Sequence, residues 1–174
     1  MVLFRVDKRE FNAGDEVCPE PTTYEASLEG EKKDVEEMLN VLSPLDRKRS
    51  NHVFLFDQLS HALRYAGKVK GRVYQVIVDS RDLRHRADMN KLDNILDVFR
   101  YTDNLDIRKA VTNEYWKAGT HTFAPCYEYL TAKCIVVREV CSMEDVKNIY
   151  HNLVYEAMPI EQISRYREIL NKVY

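Results

Sequence analysis

Glycine is scarce in this chain, with five among 174 residues, and there is a single tryptophan. No phosphate-loop motif and no G-x-S-x-G element occurs, so neither P-loop nucleotide chemistry nor a hydrolase-type nucleophile has a signature here. The four cysteines, Cys18, Cys126, Cys134 and Cys141, form no C-x-x-C pair, and the expectation is free thiols in a reducing compartment. The five histidines are scattered without i, i+4 pairs, so no zinc site is signalled. No apolar run approaches the roughly 20 residues that span a bilayer. The opening VLFRVDKREF carries charges too early for a secretory apolar segment, and a cytoplasmic protein is expected. A net charge of −2 announces neither nucleic acid nor membrane, although a local basic patch is compatible with it. Repeats, low-complexity tracts and linkers are absent, and the length suits one domain over 1–174.

What is present reads as an ordinary globular composition, 45% hydrophobic and 31% charged. Eleven tyrosines are many; they serve stacking or half-buried surfaces equally well. Residues 2–6 read as a strand and 10–22 as a loop holding Gly14, Pro19 and Pro21. Glu25 to Leu42 predicts one helix with Val35, Met38, Leu39 and Leu42 inward and Glu31, Lys32, Lys33, Glu36 and Glu37 solvated. Asp46 to Ser50 reads as a short charged loop. Ser80 to Asn90 is a polar, arginine-rich stretch. Leu92, Ile95, Leu96 and Phe99 suggest a helix, and Asp103 to Lys117 another. Gly119 and Pro125 bracket a loop, and Cys126 to Val140 is the late strand. Ser142 to Asp145 resembles a capping box that starts a helix running to about Tyr155. Pro159 suits the first turn of a final helix with Ile160, Ile163, Tyr166, Ile169, Leu170 and Val173 apolar. The C-terminal helices, about 142–174, are packing elements or a partner-binding face.

The densest signal is Asn51 to Asp79, NHVFLFDQLSHALRYAGKVKGRVYQVIVD. It predicts a strand, a helix opened by Asp57 and closed at Gly67, and a second strand. Leu59, Ala62, Leu63 and Ala66 give the helix one buried face. Val73 to Val78 is a largely buried strand. Together with Val2-Leu3-Phe4-Arg5-Val6 near the start and Tyr127-Glu128-Tyr129-Leu130 late in the chain, this segment resembles the ADP-ribosyltransferase fold. That fold opens on a strand bearing His or Arg, lines its NAD pocket with a strand-helix-strand unit and often carries a catalytic acid on a late strand. Val53-Phe54-Leu55-Phe56 with Ala62 and Tyr65-Ala66 resembles the middle unit of the small rifamycin-modifying transferases. Glu128 before Tyr129-Leu130 is similar to the acid of nucleic-acid-modifying bacterial toxins of this fold. The resemblance covers about residues 2–140. It implies an α+β protein with a split, mainly antiparallel sheet and flanking helices. The chain has neither the Ser-Thr-Ser nor the His-Tyr pattern that some relatives carry.

The resemblance also implies the chemistry. Cleavage of NAD at its nicotinamide bond needs a stacked nicotinamide, a held ribose and a carboxylate near the developing charge, with no metal. Arg5 is the candidate for NAD ribose or phosphate, against a salt bridge with Asp7. Phe54 and Phe56 share a strand face and either wall the nicotinamide site or pack the core; Tyr65, one step off the helix's buried stripe, is placed to stack. Glu128 is the candidate acid, because a carboxylate entering an apolar strand needs partners or a task; simple alternation toward water competes. Asp88 and Glu114 are the rival acids. Arg81, Arg84, His85 and Arg86, with Arg47, Lys48 and Arg49, either cradle the NAD pyrophosphate or a polynucleotide or form a solvated charge run. His121, with Thr120 and Thr122, either meets an acceptor or is an exposed imidazole.

The expectation is an NAD-dependent ADP-ribosyltransferase acting on a nucleic acid, protein or small-molecule acceptor, with NAD as substrate. The resemblance to stand-alone bacterial or phage-defence toxins implies an antitoxin partner. Two rivals stand beside it: a nucleotide- or partner-binding module of the same fold without catalysis, and an NAD-independent RNA-cleaving toxin using His121, Glu128 and basic residues.

Overall fold

The structure, a computed structural model, describes residues 1–117 and 122–155 together with Glu168. The expected final helix from Pro159, and His121, lie outside the described residues. The protein is α+β, with seven mainly antiparallel strands and six helices of known bounds among the described residues. Among the described residues no helix is long and apolar enough to cross a membrane. The chain divides into two compact units, each assembled from segments distant in sequence.

The first unit comprises Met1–Val17, Leu55–Ser80 and Cys134–Tyr174. Its strands are β1 (Val2–Asp7), β2 (Glu16–Val17), the end of β3 (Val53–Phe56), β4 (Arg72–Ile77) and β7 (Cys134–Cys141), in the order β2-β7-β4-β1-β3. β1 is antiparallel to both neighbours, with Phe4 opposite Phe56 and Gln75, and Arg5 opposite Leu55 and Tyr74. The central strands can sit there because their residues are apolar on both faces: Leu3, Phe4, Val6, Val73, Tyr74 and Val76 are all buried. α3 (Leu59–Val69) packs on β1 through Leu59, Ala62, Leu63 and Ala66, the stripe that the sequence spacing gives.

The ends of α3 differ from expectation. Gln58 occupies the N-cap position without a side-chain cap, and the helix runs through Gly67 to Val69, ending on Lys70 in the left-handed region at φ 56°. The break comes there because the chain must turn into Gly71, where an added Cβ would lie 2.9 Å from Val6 Cγ1. α6 (Met143–Tyr155) opens with the expected capping box: Asp145 N–H donates to Ser142 Oγ (3.1 Å) and Ser142 N–H to Asp145 Oδ2 (3.3 Å).

The second unit comprises Cys18–Phe54 and Arg81–Lys133. It holds α1 (Pro21–Ala26), α2 (Glu31–Val41), a 3-10 turn (Arg49–Asn51), the start of β3, β5 (Leu83–Asp88), α4 (Asn90–Tyr101), α5 (Leu105–Trp116) and β6 (Tyr127–Thr131), with strands in the order β3-β6-β5. Val35, Leu39, Ile95, Phe99, Tyr115, Trp116 and Leu130 form its core. The indole Nε1–H of Trp116 is satisfied by the Leu39 carbonyl at 3.1 Å.

Three expectations change here. The single helix over Glu25–Leu42 is two helices, because the chain between them bends at Gly30, φ 52°. The polar stretch after Ser80 contains a strand, β5, held on one side by pairing with β6. The late strand over Cys126–Val140 is two strands: β6 pairs with β5, whereas β7 pairs with β4 and β2. They part at Ala132, whose N–H donates to the Asp82 carbonyl at 2.9 Å, and Lys133, whose carbonyl accepts from Thr131 Oγ1 at 3.1 Å.

Candidate functional site

In the first unit Arg5 projects from the opposite face of β1 to Phe4, the residue paired with Phe56. Its Nε and Nη2 donate to Asp7 Oδ2 at 3.1 and 2.9 Å. Arg9 adds three bonds to the same carboxylate, from its backbone N–H and from Nε and Nη2, at 3.1, 3.0 and 2.8 Å. Burial alone would raise the Asp7 pKa; hydrogen bonds and charge from Arg9 and Arg5 outweigh it and hold the carboxyl at about 2. The salt bridge between Arg5 and Asp7 is therefore present. Phe56 and Tyr65 meet, ring centroids 5.4 Å apart. Phe56 is buried and Tyr65 half-buried, so Tyr65 is the more accessible member of that pair.

In the second unit Glu128 is 1% exposed and Arg49 4%. Arg49 Nη2 reaches Oε1 and Oε2 of Glu128, and Tyr115 Oη donates to Oε1 at 2.7 Å. Arg49 Nε donates to Tyr115 Oη (2.9 Å), and Nη1 to Tyr24 Oη (2.8 Å) and Glu36 Oε2 (2.9 Å). The guanidinium also lies 4.5 Å above the Phe54 ring. One cation is thus enclosed by two carboxylates, two phenols and a ring. Burial drives the Tyr115 and Tyr24 phenols well above their ordinary pKa. Burial would lower the Arg49 pKa, but Glu128 and the other partners raise it, so its charge is fixed.

Phe54 therefore stacks under Arg49 and Tyr24 (ring centroids 5.1 Å). Glu128 has its carboxylate engaged by Arg49 and Tyr115, and reaches a substrate only with that guanidinium withdrawn. Glu36, expected to be solvated, and Arg49, expected either to cradle phosphate or to belong to a solvated charge run, are the members of this cluster that the sequence does not single out. Each looks like surface charge by itself, and the signal for both was the need of Glu128 for a buried partner.

The rival acids are placed differently. Asp88 ends β5 and is 2% exposed; it accepts from the N–H of Asn90, Thr122 and Cys126 and from Thr122 Oγ1, at 3.1, 2.8, 3.0 and 2.7 Å. Burial opposes its ionised form, and these bonds, led by Thr122, overcome that and lower its pKa. Glu114 is on the exposed side of α5, paired with Lys117. Arg47 and Lys48 are exposed, Lys48 within 3.9 Å of Glu25. An open depression lined by Leu42, Pro44, Ala110, Asn113, Glu114 and Lys117 includes only Glu114 of these candidates. Among the described residues no three His, Cys, Asp or Glu side chains are grouped to hold a metal ion.

Comparison with known proteins finds no family model and no curated protein that matches the chain.

Proposed function

We propose that this chain is an NAD-dependent ADP-ribosyltransferase that cleaves NAD at the nicotinamide bond and passes ADP-ribose to an acceptor. The observation that carries the reading is topological. The arginine-bearing strand β1 lies directly between β3 and β4, the two strands of the strand-helix-strand segment. Segments whose order in the sequence suggested an NAD pocket are thus sheet neighbours. In the first unit Tyr65 supplies a half-buried ring for stacking beside Phe56 and Arg5 supplies donors for ribose or phosphate; in the second unit Glu128 is the candidate acid once Arg49 releases it.

The reading is tested by incubating purified protein with labelled NAD, alone and with RNA, DNA or cell lysate, and following nicotinamide release and label transfer. The expected result is turnover that falls in Tyr65→Ala and in Glu128→Gln. Folded protein that neither binds nor turns over NAD sinks the proposal.

The engagement of Glu128 by Arg49 and Tyr115 favours a second reading, a binding module of the same fold without catalysis. NAD binding without nicotinamide release identifies it.

A further inference from the structure

Strand β5 is two-faced in a way that its polar sequence, LRHRAD, conceals. His85 and Ala87 turn toward the core and Arg84 and Arg86 toward solvent, with a register shift between Leu83 and His85 that puts Arg84 at an irregularity of the strand. His85 lies against Trp116 and Tyr115, ring centroids 5.0 and 5.9 Å away, and Ala87 is in the core. Arg84 and Arg86 are exposed. β5 ends the order β3-β6-β5, so its outer edge has no strand partner among the described residues.

Neither arginine is neutralised among the described residues. Arg84 Nη1 donates to the Arg81 carbonyl at 2.9 Å, and the Arg86 guanidinium lies 4.5 Å over the ring of Tyr127, its diagonal neighbour on β6. Among the described residues neither forms an ion pair, whereas Arg5, Arg49, Arg72, Arg100 and Arg108 each meet a carboxylate. The acid that follows them on that face, Asp88, turns its oxygens to Asn90, Thr122 and Cys126. Those bonds pin the segment carrying Phe123, which is fully exposed, to the same end of the strand.

We infer that the exposed face of β5 docks a single-stranded nucleic acid, with Arg84 and Arg86 on phosphates and Phe123 stacked on a base. Guanidiniums without carboxylate partners favour phosphate oxygens. An exposed ring on the segment held at the end of that strand is the usual stacking platform for unpaired bases, whose faces a duplex hides. On the transferase reading, on which this consequence alone rests, the surface names the acceptor as a nucleic acid; the docking itself does not involve NAD.

Fluorescence anisotropy with labelled oligouridylate and oligothymidylate, without NAD, tests the surface and separates RNA from DNA. Wild type is expected to bind with affinity that falls as salt rises. Arg84→Ala/Arg86→Ala is expected to lose about tenfold or more and to flatten the salt slope by about two contacts. Phe123→Ala is expected to lose about fivefold or more with its salt slope unchanged. Arg100→Ala, an exposed arginine on α4 paired with Asp97, serves as the control and binds as wild type. Equal binding by wild type and the double variant, no binding by folded wild type at low salt, or tighter binding of polyglutamate than of either oligonucleotide overturns the inference. Nicotinamide release by wild type reads the transferase proposal separately: its failure with docking intact sinks only that reading, and the reverse sinks only this surface.

Discussion

Arg49 Nη2 grips both carboxylate oxygens of Glu128, at 2.8 and 3.0 Å, with both residues almost wholly buried. Two-pronged contact of this kind fixes orientation as well as charge. Because neither ion reaches water, each needs the other. Removing only one partner by Glu128→Gln is expected to cost about 3–5 kcal/mol. The double change Arg49→Met/Glu128→Leu is expected to cost less than the sum of its singles, since the Glu128 carboxylate no longer stands without its cation; Glu36, the other carboxylate on the guanidinium, loses its partner equally in Arg49→Met and in the double change. Urea denaturation of the four proteins measures both; additive costs would show that the pair is not coupled.

Asp7 gives a pH signature. Its folded pKa is about 2 against an ordinary 3.8, so the folded state favours the ionised form. The carboxylate therefore contributes stability that is present above pH 4 and is lost as pH falls through 2. Depression of this size corresponds to roughly 2 kcal/mol. Asp7→Asn is expected to be less stable than wild type at neutral pH, with the difference shrinking between pH 4 and 2. A difference that stays constant across that window would remove the ionic explanation.

The elements legible in the sequence were those whose burial is one-sided or complete. β3 carries an unbroken apolar run, β1 and β4 are mostly apolar, α3 carries its stripe, and α6 announces itself through Ser142 and Asp145. β5 was not legible, because only Leu83 and Ala87 are apolar and its place depends on pairing with β6, supplied from about 45 residues further along the chain. The division between β6 and β7 was hidden because apolar residues lie on both sides of Ala132 and the partners that separate them are elsewhere. At the candidate site, Glu128 was legible as a carboxylate out of place. Arg49 was not, since it stands in Asp46-Arg47-Lys48-Arg49, where its neighbours are exposed. Compensation between charges distant in sequence leaves no periodic trace.

Lys70 offers a gain in stability. It ends α3 at φ 56°, ψ 54° and is exposed, a conformation that costs an L side chain about 1 kcal/mol and glycine almost nothing. Lys70→Gly is expected to recover up to about 1 kcal/mol, a rise of about 3 °C in Tm for a chain of this size. An unchanged or lower Tm would show that loss of glycine's unfolded-state freedom outweighs the relieved strain.

Asp88 makes the last prediction, and it distinguishes a strap from an acid. Its carboxylate accepts four hydrogen bonds, three of them from the 122–126 segment. Asp88→Ala leaves those donors without their acceptor, at an expected cost of about 1–3 kcal/mol. Because the bonds hold the backbone on either side of the exposed Phe123, the change should also open that segment to chymotrypsin, and cleavage after Phe123 should quicken well before the rest of the chain is cut. Asp88→Asn keeps an acceptor oxygen and should lie between the two. If Asp88→Ala instead leaves cleavage and stability as in wild type while abolishing nicotinamide release, the residue acts on substrate rather than on the loop, and Asp88 replaces Glu128 as the acid.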